Sequence, residues 1–464
     1  MQILKIEADR DRQEFGYKNE ALQEKRCAML LASFIGLFLG LALLVVLTMR
    51  GVNIIISAVV CAVIVTICSG LPFWETMLGN YMEGFTGFFI SWFPPILLGA
   101  IFGQLMDDSG AARTIARKSR DWFGEKRAIA AVVGASAIMT YGGVSVFVVG
   151  FSVYPIAYEL FKNANLPHRF IPGAMVFGSI SFTMTSPGSP EVQNLIPTEY
   201  FNTTAMAGGW IGLFCSVTIL LLGSYCLKLM VTRAVRSGEH FDPPQPGQHR
   251  SDSGKHDAMP AMAALAPLLV LVGGFNGLSS VMQMSAVEAL LTSMAASLAL
   301  GFLLFHRHLA QRSKILGIGA ENALMATTNT CAVVGFGAVA SHTLAFQSIV
   351  GTLTDLPGME YAGLAMAITV IAGVTGSASG GLGIALPILA PAYQAMGLDN
   401  GAMHRIASLA SGGLDSLPHN GYVVTTIRAV CKETHQRAYP TIFVVSVLVP
   451  TLVLVMAVVL YTVA

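Results

Sequence analysis

The chain has 464 residues, of which 54% are hydrophobic and only 11% are charged, with a mean hydropathy of +0.65. Soluble globular proteins carry about 25% charged residues, so this composition excludes a soluble enzyme. The 27 Lys and Arg residues nearly balance 26 Asp and Glu residues, and the formal charge of +1 excludes a basic field for nucleic acid. The seven cysteines lie in or beside apolar stretches, without the spacing of a disulfide framework or a zinc site. We expect neither a metal nor a cofactor.

The apolar stretches predict an all-α polytopic membrane protein with about ten full transmembrane helices, since a spanning helix needs roughly 20 apolar residues. Three less regular apolar regions, 128–158, 171–197 and 323–424, are rich in Gly, Pro, Ser and Thr. They predict two re-entrant hairpins and two broken helices, which exist at membrane depth only when buried in protein or lining a cavity. The clean stretches are 27–49, 52–71, 87–106, 207–229, 260–275, 285–305 and 439–461.

The distribution of basic residues predicts the orientation. The polar tail 1–26 has mixed charge and lacks the order of a signal peptide. Because Lys and Arg favour cytoplasmic loops, we place the basic segment 107–127 in the cytoplasm, and alternation then places most other basic residues there too. The exceptions are Arg405 and the basic residues of the tail. The polar segment 231–258 becomes a cytoplasmic linker.

Self-similarity at a shift of about 236 residues divides the chain into two repeats, 27–230 and 259–464. Each repeat contains an odd number of crossings, so the second is predicted to be inverted relative to the first. The hairpins are predicted at about 128–160 and 360–396, and the broken helices at about 170–197 and 403–427. The aligned pairs are Gly99 with Gly335, Pro155 with Pro391, His168 with His404 and Arg169 with Arg405.

The four predicted interruptions carry Gly, Ser and Thr residues and contain no Lys or Arg. Backbone N–H groups at the starts of half-helices attract anions, and hydroxyl groups add donors, so we predict a carboxylate site without a fixed cation. The alternative is that small residues only allow close helix packing. The candidate substrate-binding residues are Thr140, Gly142, Gly143, Ser145, Thr185, Ser186, Gly188, Ser189, Ser377, Ser379, Gly380, Gly381, Ser416, His419 and Asn420.

Three ionisable residues adjoin the predicted breaks: Glu191, Asp415 and His419. Ionisable residues inside a membrane are functional candidates by default. A carboxylate at low dielectric holds a proton more readily than in water, and histidine titrates near neutral pH. We predict that these residues carry the coupling proton, with His419 and Asp415 first. The alternatives are a neutral His419 bonded to a carbonyl, a helix-capping Asp415 and a Glu191 in the outer vestibule.

The two His-Arg pairs fall at the ends of the predicted hairpins. Long basic side chains at such positions commonly extend to the membrane surface, so we expect His168-Arg169 and His404-Arg405 to be interfacial anchors. The sequence contains no P-loop, no nucleophile elbow and no His-Glu-x-x-His motif. We therefore do not predict an enzyme.

The order of hairpin, broken helix, hairpin and broken helix resembles the gluconate permease family of the ion transporter superfamily. The phrases that carry the resemblance are LLGAIFGQLMDDSGAARTIA, IPGAMVFGSISFTMTSPGSPEVQNLIP, TGSASGGLGIALPILAPAY and ASLASGGLDSLPHNGYVVTTI. The resemblance covers nearly all of the chain beyond the tail and the linker. At the second break, LDSLPHNG looks more like members assigned to hydroxybutyrate-type monocarboxylates than like gluconate transporters.

This resemblance implies proton symport of a short hydroxy acid such as 3-hydroxybutyrate, or of a sugar acid such as gluconate. It also implies a homodimer in the bacterial plasma membrane, in which a transport domain of hairpins and broken helices slides past a scaffold as an elevator. Sodium coupling through oxygens of the hairpin tips is the nearest alternative. An anion channel is a further alternative.

Overall fold

The computed structural model describes residues 25–47, 50, 52–123, 127–144, 146–242, 259–282, 284–309, 312–354 and 359–464. Nearly all of the predicted tail, the linker from 243 to 258 and the candidate Ser145 lie outside the described residues. The described chain consists of helices and short connections. The helices are α1 Lys25–Leu47, α2 Ile54–Cys68, α3 Phe73–Asp108, α4 Ala111–Phe123, α5 Ala128–Tyr141, α6 Val146–Asn163, α7 Ile171–Val176, α8 Val192–Phe201, α9 Gly209–Arg236, α10 Ala261–Ser280, α11 Ala286–Leu304, α12 Arg312–Ser341, α13 Leu344–Thr354, α14 Glu360–Thr375, α15 Ala378–Ala395, α16 Asn400–Ser411, α17 Gly421–Val424 and α18 His435–Val463.

Seven of the described helices are long and apolar enough to cross a membrane: α1, α3, α9, α10, α11, α12 and α18. Six of the seven clean stretches coincide with these long helices. The stretch 52–71 instead forms α2, a helix of 15 residues. The helix α12 occupies the start of a region that the sequence predicted to be broken, because its Gly and Thr residues are compatible with a continuous helix inside a bundle.

Local sequence signals determine where several helices begin. The Asn53 side chain accepts a hydrogen bond from the Ile55 amide at 2.9 Å and caps α2. At the start of α11, Ser285 and Glu288 form a reciprocal capping box. Asp399 caps α16 by accepting from the Ala402 amide at 2.7 Å. Such caps satisfy amides that the first helical turn leaves unpaired.

The centre of one group of helices is the crossing of α3 with α12. A Cβ at Gly335 would lie 2.8 Å from the Tyr81 carbonyl oxygen, and one at Gly319 would lie 2.8 Å from the Ile101 Cα. Residue numbers rise along α3 as they fall along α12, so the two helices are antiparallel. The absence of a side chain at these glycines allows the close approach. Around this pair, α2 contacts α12, α11 contacts α3, and α10 contacts α11.

The two helical hairpins and the two broken helices form a second group. The hairpin α5–α6 turns at Gly142 and Gly143, and the hairpin α14–α15 turns at Gly376. Each hairpin contacts a broken helix, α14 against α16 and α5 against the π-helical turn that follows α7. The helices α9 and α18 contact each other beside them. The two groups meet where α12 packs against α15 and where the tip of the first hairpin packs against α10.

The broken helices contain non-helical segments next to proline. After α7, a π-helical turn at Phe177–Ser181 precedes the first break, 182–191. The second break, 412–420, follows α16, and there the π-helical turn, Thr425–Val430, comes after α17. Prolines in both segments lack the amide needed to continue a helix. The breaks therefore leave backbone groups and side chains unpaired by helical hydrogen bonds inside the protein.

Candidate functional site

The candidate hydroxyls of the first break bind its own backbone. Thr185 Oγ1 donates to the Ser181 carbonyl at 3.3 Å, and Ser186 Oγ donates to the Phe182 carbonyl. Ser189 Oγ accepts a hydrogen bond from the amide two residues later at 3.3 Å. These side chains therefore satisfy groups that the end of a helix leaves unpaired. The protons of Thr185 and Ser186 are therefore engaged, whereas Ser189 uses an oxygen lone pair.

The tip of the first hairpin rests on the first break. Tyr141 OH donates to the Pro187 carbonyl at 2.8 Å, and Asn276 Nδ2 of α10 donates to the Gly188 carbonyl at 3.1 Å. Gly188 has a φ of +76°. Thr140 Oγ1 is buried and has no hydrogen-bond partner among the described residues. The predicted residues Thr140 and Gly188 thus lie in one region with two polar side chains that sequence analysis missed.

The two glycines of this tip serve close packing against α10. A Cβ at Gly142 would lie 2.2 Å from Leu268 Cδ2, and one at Gly143 would lie 3.0 Å from Leu271 Cδ1. Gly143 also has a φ of +81°. Both observations favour the packing interpretation for these two residues.

The tip of the second hairpin is capped by a candidate hydroxyl. Ser377 Oγ accepts from the Gly380 amide at 3.1 Å, at the start of α15, and lies 3.4 Å from Ser379 Oγ. A Cβ at Gly381 would lie 2.6 Å from the Ala372 Cα. Ser377 and Gly380 are therefore engaged with each other, and Gly381 allows the two arms of the hairpin to approach.

The second break holds a buried carboxyl group. Asp415 is 5% exposed, and Ser416 Oγ donates to its Oδ1 at 2.9 Å. Asn420, rather than Asp415, caps α17, and its Nδ2 donates to the Gly376 carbonyl at 3.1 Å. The alternative role of Asp415 as a helix cap is therefore filled by another residue.

His419 belongs to the second break, and its side chain lies against the tip of the second hairpin. Its side chain is 5% exposed, and a Cβ at Gly376 would lie 2.3 Å from its Cδ2. Neither ring nitrogen makes a hydrogen bond of normal geometry to a described residue. Buried polar atoms are normally paired, so this ring has a binding capacity that the described protein does not use. The third ionisable candidate, Glu191, is half-buried at the start of α8, and its side chain makes no capping hydrogen bond.

Arg405 brings the two halves together at the first break. Its guanidinium is fully buried and donates to the carbonyls of Thr185, Ala205 and Ala207, the last two at 3.2 and 2.8 Å. The prediction of an interfacial anchor is wrong for this residue, because α16 directs its side chain inward. A buried cation therefore contacts the first break, although the break segments themselves contain none.

The two histidines of the His-Arg pairs are also buried. His404 Nδ1 lies 2.7 Å from Thr203 Oγ1 and its Nε2 lies 3.3 Å from Asn194 Oδ1. His168 is fully buried, so the anchor prediction is wrong for both. Only Arg169 reaches the surface, where it binds Glu239 through two hydrogen bonds of 2.7 and 2.9 Å. These bonds hold the pKa of Glu239 below its usual range.

Comparison with known proteins places this chain in a family. The sequence profile of the GntP family permeases matches residues 32–262. The uncharacterized transporter YxjC of Bacillus subtilis (strain 168) is 35% identical over 454 residues, which cover 89% of this chain and 95% of that protein. The chain belongs to the GntP permease family. The predicted resemblance and the prediction that the chain is not an enzyme are therefore confirmed, and this GntP permease is a multi-pass membrane transporter.

A solved structure of a transporter has a similar fold. The crystal structure of the YdaH transporter of Alcanivorax borkumensis, described in its title as revealing an unusual topology, matches with a TM-score of 0.51. The match covers 83% of this GntP permease and 87% of that chain, at 15% identity. This similarity concerns the fold alone.

The candidate site of this GntP permease thus has two centres. One surrounds the first break with Tyr141, Asn276 and Arg405, and the other surrounds the second break with Asp415 and His419. The two breaks approach each other closely. A Cβ added at Gly412 would lie 3.2 Å from Thr185 Cγ2. A lone Asn in an apolar stretch was the available sequence signal for Asn276.

Proposed function

We propose that this GntP permease imports a small organic monocarboxylate together with protons, across a bacterial plasma membrane. The substrate is a short hydroxy acid such as 3-hydroxybutyrate, or a sugar acid such as gluconate. The observation that carries this proposal is His419, a buried imidazole at a helix break whose ring faces the Gly373 backbone but whose two nitrogens make no hydrogen bond of normal geometry among the described residues. It lies in the same break as the buried carboxyl group of Asp415.

The charges of these groups provide a physical basis for coupling. A carboxylate that leaves water needs donors or positive charge to compensate its desolvation. A protonated His419 supplies both, whereas an ionised Asp415 would repel the substrate. Protonation of the pair therefore favours binding of the anion, and release of the anion favours loss of the proton. Proton and carboxylate then move together, as symport requires.

The division of the helices supports alternating access by an elevator motion. The hairpins, the broken helices, α9 and α18 form the transport domain, and the helices packed around α3 and α12 form the scaffold. In this proposal the two repeats, 27–230 and 259–464, are inverted, and the protein works as a homodimer. The antiparallel crossing of α3 with α12 is the arrangement that an inverted repeat produces around its twofold axis.

Uptake into sodium-free proteoliposomes tests the function. With an inward proton gradient, labelled 3-hydroxybutyrate should accumulate, a protonophore should abolish accumulation, and excess unlabelled gluconate should show which class of acid is preferred. Uptake that begins only when Na⁺ is added would reject proton coupling. Equilibration without accumulation would indicate a channel.

Replacement of the two ionisable residues of the second break tests their roles. We expect Asp415→Asn to lower proton-driven accumulation more than about tenfold while substrate counterflow at equal pH is retained, whereas His419→Gln, which also removes the charge that binds the carboxylate, should lower both. The matched control is His306→Gln, because His306 is exposed. Accumulation at the wild-type level in both site variants would reject the assignment.

A further inference from the structure

A second buried acid–base pair joins the two halves at a distance from the breaks. His168 Nδ1 lies 2.9 Å from Glu433 Oε1, and both side chains are fully buried. Tyr154 OH lies 3.0 Å from His168 Nε2 and 3.5 Å from the Cys431 carbonyl. His168 follows the first hairpin, whereas Glu433 precedes α18 in the second half.

A contact between a buried histidine of one half and a side chain of the other half, here called a joint, occurs a second time. The partner side chain there is a hydroxyl rather than a carboxyl group. His404, the sequence counterpart of His168, contacts Thr203 of the other half at 2.7 Å. Glu433 and Thr203 each directly follow a residue of left-handed φ, Lys432 at +57° and Asn202 at +51°. A neutral hydroxyl is thus sufficient to hold such a joint. The carboxyl group at Glu433 differs from the hydroxyl because a carboxyl group can hold a proton or a negative charge.

The hydrogen bonds of the pair are compatible with gain and loss of a proton. When His168 is neutral, its Nε2 accepts from Tyr154 OH while Nδ1–H donates to Glu433. When His168 is protonated, Nε2–H donates to the Tyr154 oxygen, and the tyrosine hydroxyl turns toward the Cys431 carbonyl. At the twin joint, the residue next to His404 is Arg405, which already carries a positive charge.

Polar side chains of α18 lie between this pair and the second break. Tyr439 OH donates to the Ser416 backbone carbonyl at 3.3 Å, while Asp415 accepts separately from the Ser416 hydroxyl. One turn earlier on α18, the His435 ring stacks on Tyr439 with centroids 6.4 Å apart. The His435 ring faces the Pro418 carbonyl of the second break, although its nitrogens make no hydrogen bond of normal geometry among the described residues.

The other side of the pair faces the charged surface. Arg437 Nε lies 3.9 Å from Glu433 Oε2, and Arg437 is partly exposed and also binds Asp242 at 3.1 Å. The titratable and charged groups around the pair are Tyr154 and Tyr158 from α6, Cys431 and Lys432 beside Glu433, and His435 and Arg437 from α18. The ring of Phe241, from the start of the linker, covers His168 with a centroid distance of 5.9 Å.

We propose that the His168-Glu433 pair is a second proton-binding site of the transporter, outside the breaks. This inference rests on the proposed proton symport and adds a second group that binds a proton. The pair exchanges its proton with water on the side of Glu433 that faces Arg437. No group other than the proton is transferred.

Glu433→Gln tests the proposal because the amide oxygen still accepts from His168 and preserves the joint, whereas the amide does not titrate. In proteoliposomes, substrate counterflow should stay within about twofold of wild type, while proton-driven accumulation falls more than about tenfold. Substrate-induced proton uptake, measured with a pH dye, should fall with it. The matched control is Thr203→Val, which removes the neutral twin contact and should leave both activities within about twofold.

Each outcome decides the question. Wild-type accumulation in Glu433→Gln, or equal loss of counterflow in Glu433→Gln and Thr203→Val, would make the pair a structural joint and overturn the proposal. If Glu433→Gln loses counterflow and Thr203→Val does not, the variant Glu433→Asp distinguishes a proton site from a structural contact. Recovery of both activities by the shorter acid supports a proton site, and recovery of counterflow alone overturns it. Wild-type protein that accumulates substrate without a proton gradient would instead reject the symport itself.

Discussion

Arg405 and His419 are buried polar side chains with opposite hydrogen-bonding states. The guanidinium of Arg405 binds three carbonyls of the other half, so its burial is compensated and its role is to position the first break. The imidazole of His419 has no such partner among the described residues. A buried polar group without a partner costs about 1–3 kcal/mol, and such a cost is expected where a ligand or a proton completes the site.

The contrast between Arg405 and Arg169 gives a prediction at the scale of single residues. Arg405→Met should lower the free energy of unfolding by about 3 kcal/mol or more, because two buried carbonyls and one half-buried carbonyl each lose a donor. Arg169→Met, at the aligned position, removes an exposed pair with Glu239 and should cost about 1 kcal/mol or less. Thermal unfolding of the detergent-solubilised variants measures the difference. Equal losses would contradict the positioning role of Arg405.

At the scale of elements, the second hairpin and the second break are held in register by one glycine. Gly376 ends α14 with a φ of +60°, and its carbonyl accepts from Asn420. The absence of a Cβ leaves the space that the His419 ring occupies. The hairpin tip and the break therefore form one unit, although each of them is separately marked by Gly or Pro in the sequence.

Gly376→Ala should displace His419 and reduce transport more than about tenfold, since the added Cβ would lie 2.3 Å from the ring. The control is Gly397→Ala, where φ is +75° but no described atom lies within 4 Å. That variant isolates the backbone strain of about 1–2 kcal/mol and should transport normally. Counterflow and thermal unfolding are measured for both. Equal loss of transport would show that strain, rather than crowding of His419, is responsible.

At the scale of the whole molecule, contacts between the connecting segments of the two halves lie at two ends. Arg169, Glu239 and Arg437 lie together beside the start of the linker. The segment around Gly208 lies against Gly401, where a Cβ would be 3.4 Å from the Gly208 amide. Under the predicted orientation, the first end is cytoplasmic and the second is external.

Cysteine labelling tests this orientation. In a Cys27→Ser background, which removes an exposed native thiol, Asn400→Cys should react with a membrane-impermeant maleimide on intact cells. Ser237→Cys should react only after permeabilisation, because it lies in the first part of the predicted cytoplasmic linker. Both positions are exposed, so reactivity reports the side of the membrane. Labelling of Ser237→Cys on intact cells would show that the protein has the opposite orientation in the membrane.

The sequence by itself determined the membrane class, the positions of most long helices, the two proline-containing breaks and the family. These features depend on local chemistry, because hydrophobic length selects a spanning helix and proline interrupts one. The same locality explains the incorrect anchor prediction. The side chains of His168, His404 and Arg405 follow apolar segments in sequence, and nothing nearby indicates which way they face.

Only the tertiary structure decided which polar groups meet. His168 and Glu433 are separated by 265 residues, and Arg405 reaches a carbonyl 200 residues away. Pairing across such distances depends on how the two halves pack, and a hydropathy pattern contains no information about that packing. Because water is excluded at these contacts, each unpaired donor or acceptor costs free energy. Tertiary contact therefore separates the compensated Arg405 from the unpaired His419, which single-sequence reasoning could identify only as polar residues near a break.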